Sequence, residues 1–154
     1  MPNRSMSFTA AFLVAIALVF PGPVLAQTAP PSVGELLART KAQVKSIDMA
    51  TFKSGLEKGE LGMVIDVREP EEFEEGHVAG AINIPRGLIE VRIWPKVGFP
   101  DKLDLGKKLT LYCGTGFRCI MAAKSLQDLS FTNVTAVDMK IADWKKAGYP
   151  LKAE

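Results

Sequence analysis

Four short apolar runs constrain this chain more than any other feature: Met63-Val64-Ile65-Asp66-Val67, Ala81-Ile82-Asn83-Ile84, Leu109-Thr110-Leu111-Tyr112 and Val134-Thr135-Ala136-Val137. Short runs rich in β-branched residues are the mark of strands buried on both faces. Helical segments separate them. Asp48 is placed to cap a helix carrying Phe52 and Leu56, and Gly59 to end it. Residues 69–75 read as a short acidic helix. Cys119, Ala122, Ala123 and Leu126 recur at the i, i+3, i+4, i+7 spacing of an inward face. A last helix runs from Ile141 to Ala147, stopped by Gly148 and Pro150. Strands alternating with helices predict an α/β domain with a mainly parallel sheet.

The amino terminus is different in kind. Ala10 to Phe20 is an unbroken apolar run preceded by a polar stretch with Arg4, and Pro21-Gly22-Pro23 and Val24-Leu25-Ala26 follow it. The run is well short of the about 20 residues a membrane-crossing helix needs. It reads as residues 1–26 of a cleavable signal peptide, cut after Ala26, with no stable membrane anchor and a periplasmic or secreted product. Residues 27–45 then read as a disordered lead-in, Gln27 to Ser32, and a short amphipathic helix through Val33, Leu36, Leu37 and Val44. The domain proper is expected over 46–154. Export places both cysteines in an oxidising compartment.

Composition narrows the chemistry. With one histidine and two cysteines in 154 residues, the chain cannot run a His-pair mechanism, build a disulfide scaffold or complete a zinc site without carboxylates. A net charge of +2 argues against nucleic acid as a partner. The expected substrate is small and read by a local site.

That site is the loop Cys113-Gly114-Thr115-Gly116-Phe117-Arg118, between the third strand and the next helix. Open α/β sheets bind ligands at such strand-to-helix loops. Gly114 and Gly116 let successive N–H groups converge on one anion, the helix N-terminus faces the same point, and Arg118 adds a full charge. These effects favour the thiolate of Cys113.

The loop and its flanks resemble the rhodanese family. Asp66-Val67-Arg68-Glu69-Pro70-Glu71-Glu72-Phe73 with Gly76-His77-Val78-Ala79-Gly80-Ala81-Ile82-Asn83-Ile84-Pro85 looks like its first signature, and Trp144-Lys145-Lys146-Ala147-Gly148-Tyr149-Pro150 like its closing helix. The resemblance implies a three-layer fold with a five-stranded, mainly parallel sheet flanked by helices on both faces. It implies a sulfurtransferase in which Cys113 takes sulfane sulfur from a small anionic donor such as thiosulfate, holds it as a persulfide and passes it to cyanide or a thiol. Gly114, Thr115, Gly116, Phe117 and Arg118 would bind the donor and the persulfide, without metal or cofactor. Phosphatases and arsenate reductases of this fold carry a longer Cys-x5-Arg loop, whereas four residues separate Cys113 from Arg118 here. A sulfur-sized site is therefore favoured over a phosphate-sized one. The competing readings are a sulfur-carrier or binding module with little thiosulfate turnover, and a thiol-redox protein using Cys113 and Cys119.

The remaining residues carry simpler expectations. Cys119 is either the first buried residue of its helix stripe or a thiol near enough to Cys113 to form a reversible disulfide or resolve the persulfide. Arg68 and Glu72 read as scaffold, with Arg68 expected to pair with an acidic residue on the next short helix. His77 and Trp144 read as structural. Met139-Lys140 stand where the family commonly has Gly-Gly, so Lys140 either adds charge to the pocket or, with Met139, narrows it. The insert from Arg86 to Lys108 is apolar enough to cover one face of the sheet, or to offer a patch to a protein partner.

Overall fold

The computed structural model describes residues 31–153; the expected signal peptide and the lead-in before Pro31 lie outside the described residues. Helix α1 (Val33–Lys41) begins at a capping box, in which the Ser32 hydroxyl accepts from the Glu35 N–H (3.2 Å) and the Glu35 carboxylate accepts from the Ser32 N–H (2.7 Å). Leu37 packs against the core and Val44 is buried in it, so the folded body takes in chain ahead of residue 46.

Strand β1 (Lys45–Asp48) leads into α2 (Met49–Lys58), capped as expected by Asp48 Oδ1 accepting from the Thr51 N–H at 2.8 Å. Gly59 closes α2 at φ 66°, a left-handed conformation that costs glycine little. Then follow β2 (Met63–Asp66), α3 (Pro70–Glu74), β3 (Ile82–Asn83), α4 (Ile89–Arg92) between two short 3-10 turns, β4 (Leu109–Tyr112), α5 (Phe117–Asp128), β5 (Val134–Asp138) and α6 (Ile141–Lys146). The strands form one five-stranded sheet in the order β1-β5-β4-β2-β3, and every pairing is parallel.

Strand alternation divides the core. Ile65, Leu109, Leu111, Val134 and Ala136 face α5, α4 and Leu37 of α1, whereas Val64, Tyr112 and Val137 face Phe52 of α2 and Trp144 of α6. Residues Cys119, Ala122, Ala123 and Leu126 are buried along the inner face of α5, as their spacing predicts. The expected strand Ala81–Ile84 is corrected to two half-buried residues at the sheet edge. There the Asn83 amide donates to the main-chain oxygens of Asp66 (3.1 Å) and Arg68 (3.0 Å), and Pro85 has no N–H with which to extend the ladder.

The insert covers the sheet with Ile89, Ile93 and Val97, all at most 1% exposed, while Val91 and Phe99 remain outside. Met139 is also core: it is buried among Phe52, Tyr112, Val137 and Trp144. Truncating it leaves a cavity, so Met139→Ala is expected to lose about 2–5 kcal/mol of stability in urea denaturation. A loss under about 0.5 kcal/mol would show that this side chain packs elsewhere.

Candidate active site

The parallel sheet brings the ends of β2, β4 and β5 to one edge, and residues 113–116 leave β4 there to enter α5. Gly116 adopts φ 85° as the residue before α5, and a Cβ on it would stand 3.1 Å from Asp138 Oδ1. Both the backbone conformation and the close approach call for glycine at this point. The loop is tied to the far side of the edge by the Ile141 N–H, which donates to the Gly114 carbonyl at 2.9 Å.

Cys113 is wholly buried at the floor of this loop, and Thr115 is exposed on its rim. Its thiol is drawn down to about 6, first by the neighbouring Cys119 thiol and then by the N–H groups of Cys119, Thr115 and Gly116, against the opposing effect of burial. Cys119 shifts the other way: the Cys113 sulfur beside it and burial both hold it protonated. Its S–H also has two carbonyl acceptors, Gly116 O at 3.2 Å and Val137 O at 3.3 Å. Both cysteines are free thiols. Cys119 is thus a buried member of the helix stripe that also lies beside Cys113.

A lowered thiol constant has a definite sign in reactivity. Cys113 should be mostly thiol at pH 5 and mostly thiolate at pH 7, so its alkylation by iodoacetamide should rise through a midpoint near pH 6. Cys119→Ala removes the first cause and should move the midpoint upward, while Cys119→Ser keeps a donor and should move it less. Coincident profiles for all three proteins would exclude Cys119 as the cause.

Arg118 is held by α3. Its guanidinium grips Glu72 with both ends, Nη1 to Oε2 at 2.6 Å and Nη2 to Oε1 at 2.8 Å, and Glu69 Oε1 lies 3.9 Å from Nη1. Arg118 holds the Glu72 carboxyl below its ordinary range. The Arg118 fork is therefore turned to α3 rather than to Cys113. It still lies over the loop, since a Cβ on Gly114 would meet Arg118 Nη2 at 3.0 Å and Glu72 Oε1 at 3.7 Å.

The expected pairing of Arg68 with an acidic residue of the next helix is corrected. Arg68 pairs with Asp66, Nη2 to Oδ2 at 2.6 Å and Nε to both carboxylate oxygens at 3.0 and 2.9 Å, with both side chains buried. The sequence carried the signal for this, because residues two apart at a strand end project to the same side. Glu72 was missed as the partner of Arg118, because residues 46 apart in sequence offer no local pattern.

Lys140 is exposed, and its carbonyl accepts the Asp143 and Trp144 N–H groups that start α6. His77 is structural: its ring stacks on Phe73 at 3.7 Å between centroids, Nδ1 sits 3.0 Å from Phe73 O, and its backbone pairs with Lys152. Trp144 is a core residue packed on Phe52 and Tyr149.

A buried thiol at the carboxyl edge of an all-parallel sheet, lowered by the amides of a strand-to-helix loop, marks an α/β protein whose ligand edge carries a cysteine. The chain belongs to the Rhodanese-like domain family, whose model matches residues 48–147. It is 29% identical over 111 residues to YrkF of Bacillus subtilis (strain 168), a candidate sulfur carrier protein, covering 72% of this chain and 56% of that one. It is 41% identical over 70 residues to the thiosulfate sulfurtransferase PspE of Escherichia coli (strain K12), covering 46% of this chain and 62% of PspE. The matches thus span less than two thirds of either relative. Among solved structures, a rhodanese-related protein of Thermoplasma volcanium superposes with a TM-score of 0.58 at 31% identity, covering 71% of this chain and 99% of that one.

Proposed function

We propose that the protein is a sulfurtransferase that accepts sulfane sulfur from thiosulfate or a related donor on Cys113, holds it as a persulfide and delivers it to cyanide or a thiol. The observation that carries this reading is Cys113 wholly buried at the carboxyl end of β4, where the loop of a Rhodanese-like domain turns into α5 and its N–H groups draw the thiol down. In the first half-reaction the Cys113 thiolate attacks the outer sulfur of the donor, a new S–S bond forms, and the donor's own S–S bond breaks with its electron pair leaving on sulfite or a thiolate. In the second, an acceptor nucleophile attacks the outer persulfide sulfur and Cys113 departs as thiolate. The loop amides serve both halves, because the same negative sulfur position is regenerated at each end of the cycle. The relatives named for thiosulfate sulfur transfer and for sulfur carriage support the chemistry in common, a sulfur bound on cysteine.

The deciding experiment combines steady-state thiocyanate formation with intact mass. Turnover with thiosulfate and cyanide, together with a mass gain of one sulfur atom on Cys113, supports the reading. A sulfur adduct without turnover would favour the carrier alternative, and p-nitrophenyl phosphate hydrolysis faster than thiocyanate formation would overturn sulfur transfer altogether. Export of the protein with loss of residues 1–26 is proposed from the apolar run Ala10 to Phe20, and is tested by the mass of the protein recovered from a periplasmic fraction.

A further inference from the structure

We infer that a cleft at the edge of the sheet opposite Cys113 binds a small molecule carrying a phosphate-type dianion, through Lys45, Lys58, Lys108 and the Thr135 hydroxyl. The cleft, of about 510 Å³, lies between α2 and the amino ends of β1, β5 and β4. The four residues of β4, about 13 Å of extended chain, separate Lys108 from Cys113. A molecule held there stands apart from the thiol.

The floor is polar where a sheet face under a helix is ordinarily apolar. Lys45, Thr135 and Thr110 stand in register on three neighbouring strands. Strand alternation puts them on the same face as Ile47, Val137 and Tyr112, which pack with Phe52 and Trp144 farther along the sheet. Thr110 and Thr135 are 0% and 4% exposed. The Thr110 hydroxyl is spent on the Leu61 carbonyl at 2.8 Å. The Thr135 hydroxyl has no hydrogen-bond partner among the described residues, and no side-chain oxygen or nitrogen sealed from solvent is in that state, so it opens into the cleft it lines. A hydroxyl held in so buried a residue is ordinarily paired, and an acceptor in the cleft would pair it.

The walls are basic. Lys45 begins β1, Lys58 ends α2 and Lys108 precedes β4, so residues far apart in sequence bring three ammonium groups to one cleft. The ion pairs of the described residues involve none of them. Glu60 is the one carboxylate among the lining residues, which leaves two positive charges uncompensated. Like charges gathered in this way repel, and a dianion between them turns the repulsion into attraction.

The kind of cation selects the kind of anion. A planar carboxylate is met best by the planar fork of arginine, whereas ammonium groups act as compact point charges and suit a tetrahedral head approached from several sides. The Thr135 hydroxyl donates to that head from the floor. Ile47 and Leu61 line the same cleft and give an organic remainder apolar surface to lie against.

The test titrates inorganic phosphate and glycerol 3-phosphate into isotope-labelled protein, at an ionic strength held constant with sodium chloride, and follows the backbone amides by nuclear magnetic resonance. Saturable shifts are expected at Ser54 and Thr135, and unchanged in Cys113→Ser. Lys58→Gln and Lys108→Gln should each weaken binding about fivefold or more. Thr135→Val should weaken it about threefold or more, yet keep the wild-type thermal midpoint in phosphate-free buffer, because the hydroxyl it removes has no protein partner. Shifts that grow linearly and match those from chloride alone, shifts confined to residues 114–118, or affinities unchanged in all three variants overturn the inference. Binding to phosphatidylglycerol vesicles without a saturable response to glycerol 3-phosphate overturns the assignment to a free small molecule.

Discussion

Cys113→Ser should abolish sulfur transfer, lowering thiocyanate formation by on the order of 10³-fold or more and removing the sulfur adduct from the mass spectrum. The size of the effect follows from the proposed step, in which the cysteine sulfur is the atom to which the transferred sulfur bonds. Serine keeps the volume within a small margin but loses the polarisable nucleophile, and its hydroxyl is scarcely ionised near neutral pH. The amide ring is left in place by this change. Gly116 keeps its conformation and the Ile141 N–H still reaches the Gly114 carbonyl, so the variant should retain wild-type thermal stability and circular dichroism. Cys119→Ser is the paired control, because that residue lies beside the reacting sulfur without receiving the donor's. Its variant should retain the adduct and show only the altered pH response. Should Cys119→Ser lose the adduct and Cys113→Ser retain it, the two thiols would have to exchange roles.

The fold was legible because its signals are local. Each of α2, α5 and the strands β2, β4 and β5 is encoded within its own residues by a cap, a 3.6-residue stripe or a β-branched run, and the structure has them where those signals fall. The edge strand was overestimated because the apolar run Ala81–Ile84 resembles a central strand until its neighbours are known, and only the sheet order shows that β3 has a partner on one side. At the site, the loop from Cys113 to Arg118 was legible as a strand-to-helix turn. The use of Arg118 was not, because its partner Glu72 comes from another helix and a charged pair has no periodicity to announce it. The same applies to Met139: the family position suggested a pocket wall, whereas its packing against Phe52 and Trp144 depends on how α2 and α6 meet beneath the sheet. Sequence therefore located the loop and its cysteine and misplaced the partner of Arg68, which pairs with Asp66 at the end of its own strand rather than with the next helix.

Those charges set the second large expectation. Asp66→Ala should destabilise the protein by about 3–5 kcal/mol, a large share of the roughly 5–15 kcal/mol that holds a domain of this kind together. Asp66 is wholly buried, and its carboxylate accepts the Arg68 backbone N–H at 3.0 Å as well as the guanidinium. Arg68 in turn donates to the Gly76 carbonyl at 2.8 Å, which ties the end of β2 to the chain leaving α3. Removing the carboxylate leaves a buried cation with one neutral acceptor, and the cost is that of the stranded charge more than of the lost attraction. The double variant Asp66→Ala/Arg68→Met distinguishes the two, because an apolar pair strands no charge and should recover a substantial part of the loss in urea denaturation. The consequence extends to the site through α3, which carries Glu72 to Arg118 above the loop. A single-variant loss under about 1 kcal/mol, or a double variant as unstable as the sum of its parts, would mean that the pair is solvated and does not anchor this edge of the sheet.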